Sequence, residues 1–227
     1  MAKTCKKIIL PIIVLLALWG CSSDFNRSNI DIVGNGNVTI EDRAVSNFTK
    51  LNINGVFNVF VRKSNEAGVE VETDENVQSF IIVQSTNDGT LNISIASGTN
   101  LKRITKLNIY IDAIDLEQID NQGVSDIETT TPFDFNTLSV FNNGVGSITL
   151  RGTCDDLFIR NNGVGSVNAL ELESRIVEVV NVGVGNVSVD VLETLTVTIS
   201  GVGSVRYTGN PTTINSDISG IGTLVKI

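Results

Sequence analysis

Apolar and polar residues alternate along most of this chain with the period of two that marks a β-strand rather than the 3.6 of a helix. Val38-Thr39-Ile40, Phe48 to Ile53, Phe57 to Val61, Val69 to Thr73, Phe80 to Val83, Leu91 to Ile95 and Leu107 to Ile111 each read as a strand. Asn87-Asp88-Gly89 falls between two of these runs and predicts a tight turn. No long stretch carries a convincing helical period, so the pattern predicts an all-β protein.

In the second half the alternation becomes a repeat. Gly144-Val145-Gly146-Ser147-Ile148 returns as Gly163-Val164-Gly165-Ser166-Val167, Gly183-Val184-Gly185-Asn186-Val187, Gly201-Val202-Gly203-Ser204-Val205 and Gly220-Ile221-Gly222-Thr223-Leu224, spaced by 18 to 20 residues. That period is too short for a helical repeat or a propeller blade and suits one turn of a β-solenoid. Leu138, Leu157, Val177, Leu195 and Ile214 form one column, and Val140, Ile159, Val179, Val197 and Ser216 a second. Val145, Val164, Val184, Val202 and Ile221 are expected to make a third interior column, and Ile148, Val167, Val187, Val205 and Leu224 a fourth. The ten glycines are expected to be structural, placed where the chain turns and where a side chain would collide with the neighbouring turn. Gly123-Val124-Ser125-Asp126-Ile127 reads as an imperfect leading copy, and Gly55-Val56-Phe57-Asn58-Val59 as an earlier one. The pattern thus divides the chain into an irregular β region, 33–112, and regular coils, 113–227, continuous with it.

The repeats carry little chemistry. None continues into Gly-Lys-Ser/Thr or opens a helical pattern, which excludes a phosphate loop. The residue after the second glycine is never Asp, which excludes the calcium-binding nonapeptide. Asn142-Asn143 and Asn161-Asn162 precede the first glycine at the same two positions, with Asn181 continuing the first column. Stacked rows turn these into an asparagine ladder, either structural or a line of amides facing a ligand.

The first twenty residues differ. Lys3, Lys6 and Lys7 precede an apolar run from Ile8 to Leu18, and Leu18-Trp19-Gly20-Cys21 resembles a lipobox. Residues 1–20 are expected to be a lipoprotein signal peptide, Cys21 the lipidated residue, and 21–32 a short tether. The apolar run falls below the roughly 20 residues that span a bilayer. Of 16 basic residues three precede Cys21, leaving 13 against 25 acidic ones, a net −12 for the remainder. Such a surface argues against nucleic acid. The chain has no histidine, the commonest general base, and no cofactor or metal site is expected. Cys154 lacks a partner thiol or base. Adjacent Asp155 and Asp156 would point opposite ways in a strand, and Glu171 with Glu173 would share a face without a distinctive loop, so no catalytic pair stands out.

Gly36-Asn37-Val38-Thr39-Ile40-Glu41-Asp42-Arg43, Val45-Ser46-Asn47-Phe48, Leu51-Asn52-Ile53 and Asp88-Gly89-Thr90-Leu91-Asn92-Ile93 resemble the bacterial family of auto-transporter adhesins with a head GIN domain. The resemblance covers about Val33 to Ile227. It implies a right-handed parallel β-helix or β-solenoid with coils of about 18–21 residues, and it brings no catalytic residues. The function expected is a noncatalytic cell-envelope lipoprotein, an adhesin-like module for a glycan or an envelope or surface protein. A structural scaffold of the outer membrane is the alternative, and a polysaccharide-acting enzyme a minor one. Anchoring at the outer membrane is expected, on the cell surface or the periplasmic face. The apolar Ile221, Leu224, Val225 and Ile227 predict an end covered either by the N-terminal β region or by a second subunit, the latter, a homo-oligomer, being the reading favoured.

Overall fold

The computed structural model describes residues 29–227. The signal segment and Cys21 lie outside the described residues. The strands are β1 (Ile30–Val33), β2 (Val38–Arg43), β3 (Lys50–Asn54), β4 (Val56–Lys63), β5 (Gly68–Asp74), β6 (Ile81–Ser85), β7 (Thr90–Ile95), β8 (Thr99–Lys102) and β9 (Leu107–Ala113), with a 3₁₀ turn at Glu75–Phe80. They continue as β10 (Gln118–Asn121), β11 (Val124–Thr129), β12 (Phe133–Asn142), β13 (Ile148–Asn161), β14 (Val167–Asn181), β15 (Val187–Ile199), β16 (Val205–Gly209), β17 (Thr213–Ile218) and β18 (Leu224–Lys226). Strands β1 and β8 pair separately, and the other 16 form one sheet.

That sheet folds over on itself. Strands β13, β14 and β15 run 14, 15 and 13 residues, well beyond ordinary strand length, because each serves two flanks. The start of β13 pairs with β11 and its later part with β12. Likewise β15 pairs first with β16 and then with β17. Register shifts between Thr149 and Arg151, and between Ala169 and Glu173, mark the bends. One flank continues through β4, β9, β5 and β2, the other through β10, β3, β7 and β6. A single apolar core from Phe48 to Tyr207 lies between them.

The expected right-handed parallel β-helix is corrected by this arrangement. Strands β2, β5 and β9 pair antiparallel, as do β6 and β7, within the same sheet as the parallel strands, and the result is a nearly closed mixed-sheet barrel. The repeat speaks only for neighbouring copies of itself, where it sets parallel register: Val124, Val145, Val164, Val184, Val202 and Ile221 bridge one another in sequence. The irregular region obeys its own turns, and Asn87-Asp88-Gly89 closes the β6–β7 hairpin.

A second correction concerns that bridged column, which faces outward: Val164 is 52% exposed and Ile221 76%. Side-chain parity explains it. Leu138, Val140, Asn142, Ile148 and Leu150 stand at even spacing and are buried, so Val145 has the opposite parity. On the inner side at that corner stand Gly144 and Gly146. A Cβ on Gly163 would fall on the carbonyl oxygen of Gly144, and Gly165 adopts φ +144°, so both glycines of that copy are required. Ile214 and Ser216, assigned to interior columns by their spacing, are also exposed, because β17 is the outer row and pairs only with β15.

Candidate binding face

The asparagines of the repeat separate into two rows. Asn142, Asn161 and Asn181 are fully buried and joined by Asn121, with each Nδ2 donating to the next Oδ1 at 3.0 Å from Asn121 to Asn181. The same amides cross the corner, where Asn181 Nδ2 donates to the Gly185 carbonyl at 3.0 Å and Asn161 Nδ2 to that of Gly165 at 3.4 Å. This inner row has no face toward solvent. Asn143 and Asn162 point outward, with Asn162 donating to Asn143 at 2.7 Å and Asn143 to Asp120 at 2.9 Å. A fully buried Val or Leu contributes about 1.5–3 kcal/mol, against about 1 kcal/mol for a satisfied hydrogen bond. Apolar columns therefore hold the flanks together, while the amides fix the corner's geometry.

Of the carboxylates singled out by sequence, Asp155, Asp156 and Glu171 lie in ion pairs with arginines. Glu171 accepts from Arg151 Nε at 2.7 Å, and Glu173 is exposed on the same strand. Asp155 and Asp156 do not point opposite ways: both are exposed and approach Arg175, at 3.5 and 3.7 Å. Near this bend Asp155 and Arg175 both drop out of the ladder between β13 and β14, and the β14–β15 register shifts between Ser174 and Ile176, so strict alternation fails locally. Cys154 is buried, and burial above all, with Asp156 and Asp155 nearby, pushes its thiol up to about 12. It is protonated at neutral pH and unsuited to nucleophilic attack. Among the described residues no three His, Cys, Asp or Glu side chains gather as a metal site.

A different set of residues comes together on the outward face of β5, β9, β4 and β11. Register places Glu70, Tyr110, Phe60 and Glu128 in one row across the four strands, with Glu72, Asn108, Asn58 and Asp126 in the next. Phe60 and Tyr110 stack with centroids 5.3 Å apart and planes 20° from parallel. Arg62 lies over the Tyr110 ring at 5.8 Å and forks onto Asp112 at 2.8 and 3.0 Å. This bidentate pair holds the guanidinium within cation–π range of the ring.

Glu72 anchors the other side. Its carboxylate accepts from Lys106 Nζ at 2.7 Å, Asn108 Nδ2 at 2.8 Å and Tyr110 Oη at 2.9 Å. Lys106 and Asn108 hold the carboxyl below the usual range, outweighing its burial, with Tyr110 adding to the effect. The tyrosine hydroxyl is raised in turn, chiefly by its bond to Glu72. Glu72 is thus ionised and occupied by three donors, a positioning role for Tyr110 rather than a proton source. Shallow depressions flank the rings, one lined by Asn58, Phe60, Asp126, Glu128 and Thr149, the other by Val56, Asn58, Leu107 and Asp126.

Sequence reasoning missed this cluster. The alternation Val56, Asn58, Phe60, Arg62 shows that Phe60 faces outward, but nothing local reveals that its neighbour is Tyr110, fifty positions away in an equally unremarkable strand.

The rings, amides and ion pairs thus form an open face on one side of an all-β barrel. Residues 47–211 match the family model "Putative auto-transporter adhesin, head GIN domain", and the chain belongs to that family. The family is adhesin-like, a class of cell-surface or envelope proteins. The structure is similar to that of a "putative adhesin" from Bacteroides fragilis NCTC 9343, with a TM-score of 0.76 and 25% identity over 86% of this chain and 100% of the other. A "putative lipid binding protein" from Parabacteroides distasonis ATCC 8503 shares the fold with a TM-score of 0.55 and 21% identity, over 87% of this chain and all of the other. A "putative adhesin" from Parabacteroides merdae ATCC 43184 does so at 0.53 and 17%, over 87% and 99%. No curated protein matches the chain.

Proposed function

We propose that this chain is a noncatalytic envelope lipoprotein, anchored through Cys21 at the outer membrane, that binds a surface glycan across the face centred on Phe60 and Tyr110. The observation that carries the reading is the stacked ring pair, half-buried and therefore rigid, with Arg62, Asp112, Asn58 and Asn108 fixed around it. Ring faces and edges accept the apolar C–H surface of a pyranose, while carboxylate, amide and guanidinium groups serve its hydroxyls. The flanking depressions are shallow and open, which suits an extended polymer held by many weak contacts rather than an enclosed small ligand. Adhesin-like family membership supports a contact role, and the lysine-flanked apolar segment before Cys21 supports the anchor.

A glycan array probed with the detergent-solubilised full chain tests this. Retention of a specific glycan, reduced at least tenfold by Phe60→Ala with Tyr110→Ala, is the expected result. Undiminished retention in the double variant removes the ring face from the function. Recovery of only envelope proteins after cross-linking, with no glycan retained, replaces the glycan reading by a scaffold.

A further inference from the structure

The outward column of the repeat makes an apolar ridge. It begins at Val56, passes to Val124 through the β4–β11 register and continues by bridges to Ile221, every member about half exposed or more. Seven rows at about 4.8 Å give a ridge about 29 Å long. From Val145 to Ile221 each member has glycines on both sides, and Val56 and Val124 have one on the N-terminal side, so little shields the ridge. Single exposed valines are ordinary, but an in-register line of them is not.

We propose that this ridge is a self-association surface on which a second copy of the chain docks about a two-fold axis. Spacing is the first reason. The ridge's teeth are set by strand pairing, and another ridge with the same interval interdigitates with it along its whole length, as identical rows do in dry sheet-to-sheet contacts. A partner of different spacing meets only some of the teeth.

Charge is the second reason. The chain carries a formal −9, so two copies repel unless they meet on an uncharged surface. The columns bordering the middle of the ridge are neutral: Asn143, Ser147, Asn162 and Ser166, followed by Asn186 and Ser204. Asp126 borders the ridge only at its Val124 end, where it accepts from the Ser147 amide at 2.8 Å, whereas the ring face bears Glu70, Glu72, Asp112 and Glu128 against Arg62 and Lys106. The ridge is therefore where two copies approach with least electrostatic cost.

Area sets the strength. Counting two residues on either side, at about 3.3 Å each, the patch is roughly 15 Å wide, which buries roughly 900 Å² in total across the pair. Stable interfaces bury about 1,200 Å² or more. The dimer is accordingly weak and concentration-dependent.

Single cysteines placed at Val145, Val164 or Val184 in the membrane-associated full chain, followed by mild oxidation, test the geometry. A disulfide-linked dimer at one or more of these positions is expected, with none from a cysteine at Thr196 on the other flank. Sedimentation of the solubilised chain across a concentration series tests the equilibrium. Val145→Thr, Val164→Thr and Val184→Thr combined keep β-branched side chains and strand preference, so an unchanged circular dichroism spectrum with association weakened at least tenfold is the expected result. A wild-type chain that stays monomeric throughout overturns the proposal. So does a dimer that survives the triple replacement, and so does a monomer whose ridge instead confers binding to phosphatidylcholine vesicles, which makes the ridge a lipid contact.

Discussion

The repeat rows from Val124 to Ile221 and the N-terminal strands β2 to β9 belong to one sheet but reach order by different means. In the rows, each residue meets its own equivalent 18 to 21 positions away: Leu138 beside Leu157 beside Val177 beside Leu195, and Asn142 beside Asn161 beside Asn181. In the N-terminal strands the decisive contacts are unlike. Asp74 accepts from the Gly36 and Thr105 backbone amides at 2.6 and 2.7 Å and from the Thr105 hydroxyl at 2.9 Å. Gln78 Nε2 donates to the Thr39 and Val71 carbonyls at 3.0 Å, while its oxygen accepts from Arg43 at 2.7 Å. Repetition reuses the same glycines, asparagines and apolar residues row after row, whereas the mixed region needs particular polar residues at single positions.

The sharpest break comes where repetition is least tolerant. Gly163→Ala places a methyl group on the Gly144 carbonyl oxygen and its backbone, which cannot yield without parting two hydrogen-bonded rows. The expected loss is about 4 kcal/mol or more, among the largest for a single methyl group. Urea unfolding followed by circular dichroism checks it, and a loss below about 1 kcal/mol shows that the rows slide apart freely. In the N-terminal region, a Cβ on Gly36 would meet nothing within 4 Å, but the residue adopts φ +81°, so Gly36→Ala strains only its own backbone and costs far less.

Asp74 tests the other half of the comparison. It is fully buried, and Asp74→Ala leaves the Gly36 and Thr105 amides without their acceptor, for a loss of about 3 kcal/mol. Burial pushes its carboxyl up, but the amides of Thr105 and Gly36 and the Thr105 hydroxyl more than offset this, leaving it below the ordinary 3.8. Its stabilising contribution is therefore present in full above pH 3.8 and falls away as pH drops through the lower folded value. Urea midpoints of wild type and Asp74→Ala should converge on acidification below that point; a constant difference down to about pH 2 shows that the carboxylate's charge is not what matters.

The same contrast explains what could be read from the chain. Strand positions and the buried columns Leu138 to Leu195 and Ile148 to Val205 follow from period-two alternation, because burial and pleat impose it directly. The outward turn of Val145 was equally encoded, in its odd spacing from Ile148, but the Gly-Val-Gly signature draws attention to the corner rather than to parity. Antiparallel pairing of β2, β5 and β9 was not legible, since alternation is the same whichever way a neighbour runs. Nor was the Phe60–Tyr110 face: it exists only because β9 inserts between β4 and β5, a fact about the sheet and not about either strand. The asparagine ladder was legible as a spacing, but its burial needed the corner to be seen.

The ladder offers the smallest and most discriminating test, because within the repeat it is the feature that most resembles the N-terminal clamps. Asn161→Ala leaves Asn142 Nδ2 without an acceptor and Asn181 Oδ1 without a donor, both buried, for an expected loss of about 2 kcal/mol. The sheet itself suggests the repair: Ile199 occupies the position paired with Asn181, and Ile218 the one after it. Replacing Asn121, Asn142, Asn161 and Asn181 together by Ile removes every amide of the ladder at once, so no side chain is orphaned and only backbone groups at the corner, among them the Gly123 N–H and the Gly165 and Gly185 carbonyls, lose a partner. Burying polar groups brings little net gain when both partners can be made apolar, so the fourfold variant should lose less than twice what the single one loses. Urea unfolding of the two variants side by side measures this. A fourfold loss near the sum of four single losses means that each amide contributes independently, by bridging its own corner to the Gly165 or Gly185 carbonyl, and that the repeat, like the N-terminal region, depends on particular polar contacts.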